Sequence, residues 1–236
     1  MATLEQLKQR VWEANRALVE QGLVIQTWGN ASGVDRKRGL MVIKPSGMAY
    51  ERMNPRDMVV VSLAEGQVVG GGLRPSSDTA THLELYRGFA QIGGVVHTHS
   101  LYATAWAQAR EDLPCYGTTQ ADYWHGEVPC TRLLEQKEIE QSYEANTGRV
   151  ILERFQGLDP LEHPAVLVAS HGPFAWGKTV RDAVHNAAVL EFVARLASET
   201  RRINPRIGPV QPRLLAQHFR RKHGPAASYG QARPEP

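Results

Sequence analysis

The chain has 236 residues, of which 42% are hydrophobic and 22% are charged, and its formal net charge is +3. This composition excludes disordered, collagen-like and coiled-coil proteins, and the length suits one large domain or two small ones. No run approaches the roughly 18 apolar residues of a membrane span, and charges interrupt the first twenty residues, where a signal peptide would be apolar. Cys115 and Cys130 are the only cysteines and lack CxxC spacing, so we expect a cytoplasmic protein with no membrane partner.

The C-terminal end is strongly basic. Residues 201–236 hold eight Lys and Arg residues against a single Glu, whereas residues 1–200 carry an excess of acidic residues. Such an end could bind nucleic acid, meet a phosphorylated substrate or dock on the acidic surface of a neighbouring subunit. Because the basic segment lacks the interleaved aromatic residues that stack on bases, we expect no nucleic-acid partner.

The hydrophobic spacing gives an order of helices and strands. An amphipathic helix is predicted over 3–21, opened by a capping box of Thr3 with Gln6 and ended by Gly22. Short strands are predicted at 23–27, 40–43 and 58–63, then a helix over 77–89 and a buried strand at 93–96. A helix over 138–155, a buried strand at 165–169, a long helix over 180–196 and a short basic helix over 213–223 follow. This order predicts one layered α/β domain, from which the tail after about residue 205 could reach another subunit.

Three histidines follow buried strands. His97 and His99 are two residues apart, so the strand period puts both imidazoles on one face and Thr98 on the other. His171 comes at the end of the second apolar run. Three neutral imidazoles with an open coordination position suit a catalytic Zn²⁺ or a similar divalent ion. The alternative is an exposed or hydrogen-bonded pair of histidines that binds nothing.

Two turns carry the residue types that bind phosphate. Ser76 and Ser77 stand at a predicted helix start with free backbone amides, and residues 44–47 bring a lysine, a hydroxyl and a glycine into one turn. Asp78 follows the two serines and could serve only as the cap of that helix. Either turn alone is a weak signal.

Residues 172–179, GPFAWGKT, match the nucleotide-binding pattern GxxxxGK[ST], follow an apolar strand and precede a helix. The interior of this stretch, however, holds the bulky Phe174 and Trp176 and no further glycine. No βαβ repetition follows it either. We therefore do not expect nucleotide hydrolysis.

Two candidate acid/base residues lie outside these motifs. Asp122 stands beside Tyr123 and Trp124, an aromatic neighbourhood that could raise the pKa of a carboxyl towards general acid/base use. The alternative is an ordinary surface turn. Tyr229 lies in the basic tail and can reach a site only if the tail folds over one.

Taken together, seven segments in order resemble the L-ribulose-5-phosphate 4-epimerase family of the class II aldolase/epimerase superfamily. They are TWGN (27–30), IKPSG (43–47), PSSDT (75–79), VHTHS (96–100), ADY (121–123), SHGPFAWGK (170–178) and RKHG (221–224). The resemblance runs from about residue 5 to residue 231, and the contexts of Asp122 and Tyr229 resemble the epimerase branch.

That resemblance implies a single domain over residues 1–236 with a three-layer α/β/α fold and a central, largely antiparallel sheet. It implies a homotetramer with active sites at subunit interfaces, to which the basic helix and tail at 205–236 contribute. It also implies one divalent metal ion per subunit, usually Zn²⁺, with Mn²⁺ and Co²⁺ as alternatives. The residues that match the family's metal ligands are Asp78, His97, His99 and His171.

The family inverts C4 of L-ribulose 5-phosphate by retro-aldol cleavage of the C3–C4 bond and re-addition to the opposite face, which gives D-xylulose 5-phosphate. The metal acts as a Lewis acid for the charge that develops on the dihydroxyacetone fragment. The resemblance assigns the acid and base to Asp122 and Tyr229. The matching substrate positions are Gly29, Asn30, Lys44, Ser46, Gly47, Ser76, Ser77, His218 and Arg221. The route served, L-arabinose catabolism, ascorbate use or another pentose route, stays open.

Two alternatives share the fold. L-fuculose-phosphate-type aldolases resemble the chain but carry Glu where Asp78 stands, and they use that longer carboxylate as a base. A shorter Asp favours an epimerase that keeps its fragments. Adducin-like binding modules lack the metal histidines, whereas His97, His99 and His171 are all present here, so an enzyme is expected.

Overall fold

The computed structural model describes residues 3–223 and residue 227. Over these residues the chain forms helices α1 (Leu4–Glu20), α2 (Thr79–Gly88), α3 (Leu101–Ala109), α4 (Thr118–Ala121), α5 (Gln136–Glu140), α6 (Tyr143–Arg154), α7 (Val180–Ile203) and α8 (Pro212–Lys222). Its strands are β1 (Asn30–Asp35), β2 (Leu40–Ile43), β3 (Val59–Ser62), β4 (Val68–Gly70), β5 (Gly94–His97), β6 (Ala165–Val168) and β7 (Gly172–Gly177). None of the helices in this part of the chain combines the length and the apolar character needed to cross a bilayer.

The strands form one sheet in the order β4-β3-β2-β1-β5-β7-β6. Every neighbouring pair in it is antiparallel. The expected antiparallel central sheet is therefore confirmed. β5 lies in the middle of the sheet, where β1 and β7 pair with it on either side, so His97 at its end is fixed from both sides.

Helices cover both faces of the sheet. Alternate strand residues pack with α1, α3 and α7 in one core, which includes Val42, Val96 and Leu167. The other strand residues pack with α2 and α6 in a second core, which includes Val95 and Phe174. The period of two along each strand creates both cores, and the predicted three-layer α/β/α architecture is confirmed.

The start of β5 and the start of α7 lie in close contact because glycine stands at position 94. A Cβ there would lie 2.4 Å from the Val180 Cα and 2.7 Å from the Thr179 carbonyl oxygen. These are backbone atoms that no side-chain rotation can move away. Gly94 therefore lets α7 pack directly against the strand that carries the histidine pair.

The first helix agrees with its prediction. Thr3 caps α1, and its capping box with Gln6 is present. Gly22 follows the helix with φ +67°, the left-handed conformation that favours glycine at a helix end. The strands at 40–43, 58–63, 93–96 and 165–169 are also confirmed, within one or two residues.

The strand predicted at 23–27 is wrong. This segment is a loop, and the strand lies instead at β1, whose sequence NASGVD lacks an apolar alternation. β1 forms because its residues are buried and because one side chain from a helix bonds to its backbone. Asn15 of α1 reaches it, accepting from the Ala31 amide at 2.9 Å and donating to the Ala31 carbonyl at 3.1 Å.

Two other predictions need correction. The single helix expected over 138–155 is two helices, α5 and α6, separated at Ser142, which has φ +147°. The segment that matches the nucleotide-binding pattern is strand β7, in which Phe174 and Trp176 are fully buried. Thr179 and Asp182 form a capping box that satisfies the start of α7. The segment is therefore a buried strand followed by a capped helix, and not a glycine-rich loop.

The sheet ends differently at its two edges. Beyond β6 runs the segment 129–131, where the Thr131 amide donates to the Leu167 carbonyl and the Leu167 amide donates to the Pro129 carbonyl, both at 2.9 Å. At the other edge, β4 is three residues long, and its pairing with β3 is irregular between Val60 and Val61.

Candidate active site

His97 and His99 converge at the end of β5. Their Nε2 atoms are 3.1 Å apart. The His97 ring stacks on Phe174, with centroids 4.2 Å apart, and its Nδ1 lies 3.0 Å from the Pro173 carbonyl oxygen. Because a carbonyl can only accept, Nδ1 carries the proton and Nε2 presents its lone pair. The predicted common face of the two imidazoles is confirmed.

His171 joins this pair from the turn between β6 and β7. The ligand nitrogens of His97, His99 and His171 all lie within 4.8 Å of one another. The Tyr143 hydroxyl is 3.2 Å from the His171 Nδ1 and orients that ring. Nothing in the sequence pattern pointed to Tyr143, which stands at the first position of α6.

Burial keeps two of these rings neutral at pH 7. It lowers the pKa of His171 to about 4 and lowers the pKa of His99 as well, and repulsion from the neighbouring imidazoles acts in the same direction. A neutral imidazole is the form that binds a metal. Three imidazole nitrogens that face one another across a few ångströms therefore fit a Zn²⁺ ion or a similar divalent cation.

Asp78 stands at the N-terminus of α2, but its carboxylate turns towards the pocket. Its Oδ2 accepts from Asn30 Nδ2 at 2.6 Å, and the same amide group donates to Ser76 Oγ at 3.0 Å. Burial alone would raise the pKa of Asp78, but the interaction with His97 and the Asn30 hydrogen bond outweigh it and keep this pKa low. An ionised carboxylate thus lies beside the three histidines. Its role as a fourth ligand stays a prediction.

The two turns that are predicted to bind phosphate are joined by backbone hydrogen bonds. The Ser46 amide donates to the Arg74 carbonyl at 2.9 Å, and the Ser76 amide donates to the Lys44 carbonyl at 3.0 Å. Both turns open on a cavity of about 420 Å³, and the three histidines line the same cavity. Its lining includes seven of the nine predicted substrate residues, which are called the cradle below: Gly29, Asn30, Lys44, Ser46, Gly47, Ser76 and Ser77. The two turns, each of which is a weak indication of a phosphate site in the sequence, therefore lie side by side in the folded chain.

Lys44 and Tyr50 hold the wall of this cavity. The Lys44 ammonium group donates to the Thr27 carbonyl at 3.2 Å and lies 4.8 Å from the centre of the Tyr50 ring. The Tyr50 hydroxyl contacts the carbonyls of Trp28 and Gly29 at 2.8 and 2.9 Å. Burial lowers the pKa of Lys44 to about 8, against a smaller raising effect of the Asp78 charge. No local sequence pattern indicates Tyr50, because the two carbonyls that its hydroxyl contacts lie more than twenty residues away along the chain.

Gly29 cannot be replaced without strain at this point. Its φ is +76°, and a Cβ there would lie 2.8 Å from the His97 carbonyl oxygen. The absence of a side chain lets the cradle lie directly against the end of β5, next to the histidine pair.

Asp122 lies in a separate cluster, outside the lining of this cavity. Arg221 donates to both carboxylate oxygens, at 3.1 and 2.9 Å, and His218 Nδ1 is 3.0 Å away. Lys222 Nζ is 3.3 Å from Oδ2. Burial raises the pKa of Asp122, but these partners outweigh it and lower the pKa below its usual value. The expectation of a raised pKa is wrong, because the decisive neighbours come from α8 and not from the aromatic segment.

His218 and Arg221 therefore contact Asp122 in the single chain and do not line the cradle. Tyr229 lies outside the described residues.

Comparisons with known proteins agree with this geometry. A family model described as Class II Aldolase and Adducin N-terminal domain matches residues 9–198. The L-ribulose-5-phosphate 4-epimerase UlaF of Salmonella paratyphi C (strain RKS4594) is 57% identical over 228 residues, which cover 97% of this chain and 100% of that protein. The relative of the same name from Salmonella choleraesuis (strain SC-B67) has the same identity and coverage.

A solved structure of L-fuculose 1-phosphate aldolase superposes with a TM-score of 0.76 at 28% identity, covering 93% of this chain and 98% of that one. The L-fuculose 1-phosphate aldolase from Glaciozyma antarctica PI12 has the same TM-score at 20% identity, covering 97% and 88%, and supports the fold alone. By its sequence, its fold and its histidine cluster, the chain belongs to the class II aldolase family, among the L-ribulose-5-phosphate 4-epimerases.

Proposed function

We propose that the chain interconverts L-ribulose 5-phosphate and D-xylulose 5-phosphate by metal-dependent retro-aldol cleavage and re-addition. The observation that carries this proposal is the shared cavity, in which three histidine nitrogens within 4.8 Å of one another face the cradle of hydroxyls and backbone amides. The 57% identity to proteins named L-ribulose-5-phosphate 4-epimerase supports the choice of substrate.

The chemistry explains why a metal and a phosphate site belong together. The C4 hydrogen of the substrate is not next to its carbonyl, so direct deprotonation at C4 is difficult. Instead, a base takes the proton of the C4 hydroxyl, the C4–O bond becomes a carbonyl, and the C3–C4 electron pair moves towards the C2 carbonyl. The products are glycolaldehyde phosphate and the enediolate of dihydroxyacetone. A divalent cation, when bound, supplies positive charge where the enediolate forms.

The cradle keeps the phosphorylated fragment in place between the two steps. Hydroxyls of Ser46, Ser76 and Ser77, with the backbone at Gly29 and Gly47, hold the phosphate as the resemblance implies. Lys44 adds a buried positive charge on the same wall. An anchored phosphate lets the aldehyde turn about its own bonds and present its other face, so re-addition inverts C4.

Asp122 and Tyr229 supply the acid and base, one on each face, from a neighbouring subunit. Asp122 does not line the cavity of its own chain, so this assignment requires that it reach the site of another copy. The basic segment 205–236 is then a part of the single domain that completes the neighbour's site. Its α8 residues Arg221 and His218 hold Asp122 ionised, the form in which it can act as a base.

We also propose a homotetramer, Zn²⁺ as the resident ion with Mn²⁺ or Co²⁺ as alternatives, and a cytoplasmic location. Exposed apolar side chains beside the histidine cluster support contact between copies, since Leu101, two residues after His99, is 73% exposed. The imidazole donors support Zn²⁺. Cys115 and Cys130 are buried free thiols, as a reducing compartment favours. L-arabinose catabolism is one candidate for the metabolic pathway in which the enzyme acts. The pathway depends on which reactions in the cell produce L-ribulose 5-phosphate.

L-fuculose-phosphate-type aldolase activity is the second candidate, because those enzymes have the same fold. The test is to incubate purified protein with L-ribulose 5-phosphate before chelation, after chelation and after return of Zn²⁺, Mn²⁺ or Co²⁺. D-xylulose 5-phosphate and glycolaldehyde phosphate are measured separately. Metal-dependent epimer without free fragments supports the proposal. Fragments alone would assign the chain to the aldolases, and no turnover with metal bound would reject this sugar.

A further inference from the structure

Trp28 is unusual among the tryptophans of this chain. Trp124 and Trp176 are fully buried and Trp106 is 6% exposed, whereas Trp28 is 53% exposed. A single exposed apolar side chain is common on folded proteins, so the exposure of Trp28 gains its meaning from the place of the ring in the fold.

The loop that carries Trp28 is held firmly. Gln26 and Gly29 adopt φ +55° and +76° on either side of it. The Thr27 carbonyl accepts from Lys44, and the Tyr50 hydroxyl contacts the carbonyls of Trp28 and Gly29. Two buried side chains thus fix the backbone of a loop whose central side chain remains open. The backbone from which the Trp28 side chain projects is therefore a fixed feature of the fold.

The ring lies where the reaction would take place. Trp28 lines the cavity, next to Gly29 of the phosphate cradle. Its ring meets the ring of His99 edge to face, with centroids 6.3 Å apart. Trp28 therefore spans the interval between the phosphate site and the histidine cluster. A two-carbon aldehyde with its phosphate in the cradle must occupy that same interval.

We propose that Trp28 forms the wall that retains glycolaldehyde phosphate while it turns between cleavage and re-addition. This inference rests on the proposed function and adds a specificity-determining residue to it. An indole face is flat and apolar, so it excludes water and offers no polar group that would fix one orientation of the aldehyde. The fragment can then expose either face and still not leave the site.

The neighbouring exposed side chains do not share this position. Ile25 belongs to the same loop and is 62% exposed, but it is not part of the cavity lining. It is therefore a matched control, since its truncation removes apolar surface from the same loop without opening the cavity. Trp28→Phe is the second control, because it keeps an aromatic wall.

The experiment measures, for wild type, Trp28→Ala, Trp28→Phe and Ile25→Ala, the ratio of released glycolaldehyde phosphate to D-xylulose 5-phosphate formed. Loss of an apolar wall changes the retention of a small ligand by roughly tenfold or more, so Trp28→Ala should raise the ratio by at least that factor. Trp28→Phe and Ile25→Ala should stay close to wild type. An unchanged ratio in an active Trp28→Ala enzyme would overturn the inference.

A binding measurement separates this inference from the proposed reaction. Iodide should quench part of the wild-type tryptophan fluorescence, and glycolaldehyde phosphate should protect that part, while Trp28→Phe should lack it. Light scattering reports the assembly of each variant. If iodide cannot reach Trp28 without ligand, or if Trp28→Ala changes the oligomeric state, the ring is an intersubunit residue and the inference is wrong. If glycolaldehyde phosphate protects Trp28 of the wild type from iodide but the enzyme does not epimerise L-ribulose 5-phosphate, the proposed function is wrong. The inference that Trp28 contacts the bound fragment is then still supported.

Discussion

Replacing Tyr50 by Phe removes the hydroxyl group that supports the loop of Trp28 and Gly29, two residues that line the cavity. The Tyr50 ring is 2% exposed, and its hydroxyl contacts the carbonyls of Trp28 and Gly29 at 2.8 and 2.9 Å. Phe keeps the ring, and with it the contact to the Lys44 ammonium group. The change therefore isolates the contribution of the hydroxyl to the loop.

The expected cost follows from the single O–H donor that the two part-buried carbonyls share. Leaving an acceptor unsatisfied costs about 1–3 kcal/mol. A middle value of about 2 kcal/mol lowers the melting temperature of a domain of this size by roughly 4–8 °C. The loosened loop also carries Gly29 of the cradle, so the KM for L-ribulose 5-phosphate should rise roughly fivefold to tenfold, with a smaller effect on kcat.

The assay combines thermal unfolding with steady-state kinetics, and Tyr86→Phe is the matched control. Tyr86 is fully buried and its hydroxyl is 2.9 Å from Ser32 Oγ, but Ser32, unlike Trp28 and Gly29, does not line the cavity. Tyr86→Phe should lose stability without a change in KM. If Tyr50→Phe melts earlier but keeps its KM, the hydroxyl does not position the cradle. If neither quantity changes, the two hydrogen bonds contribute nothing, and the reasoning is refuted.

Three further predictions concern the charged residues. Asp78→Glu should release glycolaldehyde phosphate and dihydroxyacetone, because a longer carboxylate that has accepted a proton can pass it to the enediolate carbon; an unchanged ratio of epimer to fragments would count against it. The KM should rise above pH about 8, where Lys44 with its lowered pKa loses the charge that holds the phosphate, and Lys44→Met should lose this pH dependence; the same pH profile in both proteins would contradict the assignment. Asp122→Asn and His97→Ala should each be inactive alone but regain activity when co-expressed, since mixed assemblies contain sites with both residues intact; mixed assemblies without activity would exclude a shared site.

The sheet shows what local patterns can and cannot predict. The sequence predicts strands such as β2 and β3, because a short run of consecutive Val, Ile and Met residues is typical of a strand that is buried in the core. The sequence does not predict β1, because its residues are mostly small or polar. The segment forms a strand because Asn15 and the two neighbouring strands satisfy the hydrogen bonds of its backbone. Its formation depends on tertiary contacts that no window of sequence contains.

The site divides in the same way. His97 and His99 could be placed together from their spacing alone, since a strand fixes their relative direction. The environment of Asp122 could not be predicted, because its partners His218 and Arg221 follow it by 96 and 99 residues. A sequence motif can also match by chance, and only the packing of its residues shows this. GPFAWGKT matches the pattern of a nucleotide-binding loop, but Phe174 and Trp176 are buried and the segment 172–177 is a strand.

The two edges of the sheet limit how copies of the chain can associate. Hydrogen bonds to the segment 129–131 already occupy the outer side of β6, so a foreign strand has no open ladder to join there. β4 offers only three residues next to an irregular register, which is a poor template for strand addition. Growth of a continuous intermolecular sheet, the usual route to edge-to-edge aggregation, is therefore disfavoured. Assembly is left to side-chain surfaces, whose shape can specify a closed oligomer with a fixed number of copies.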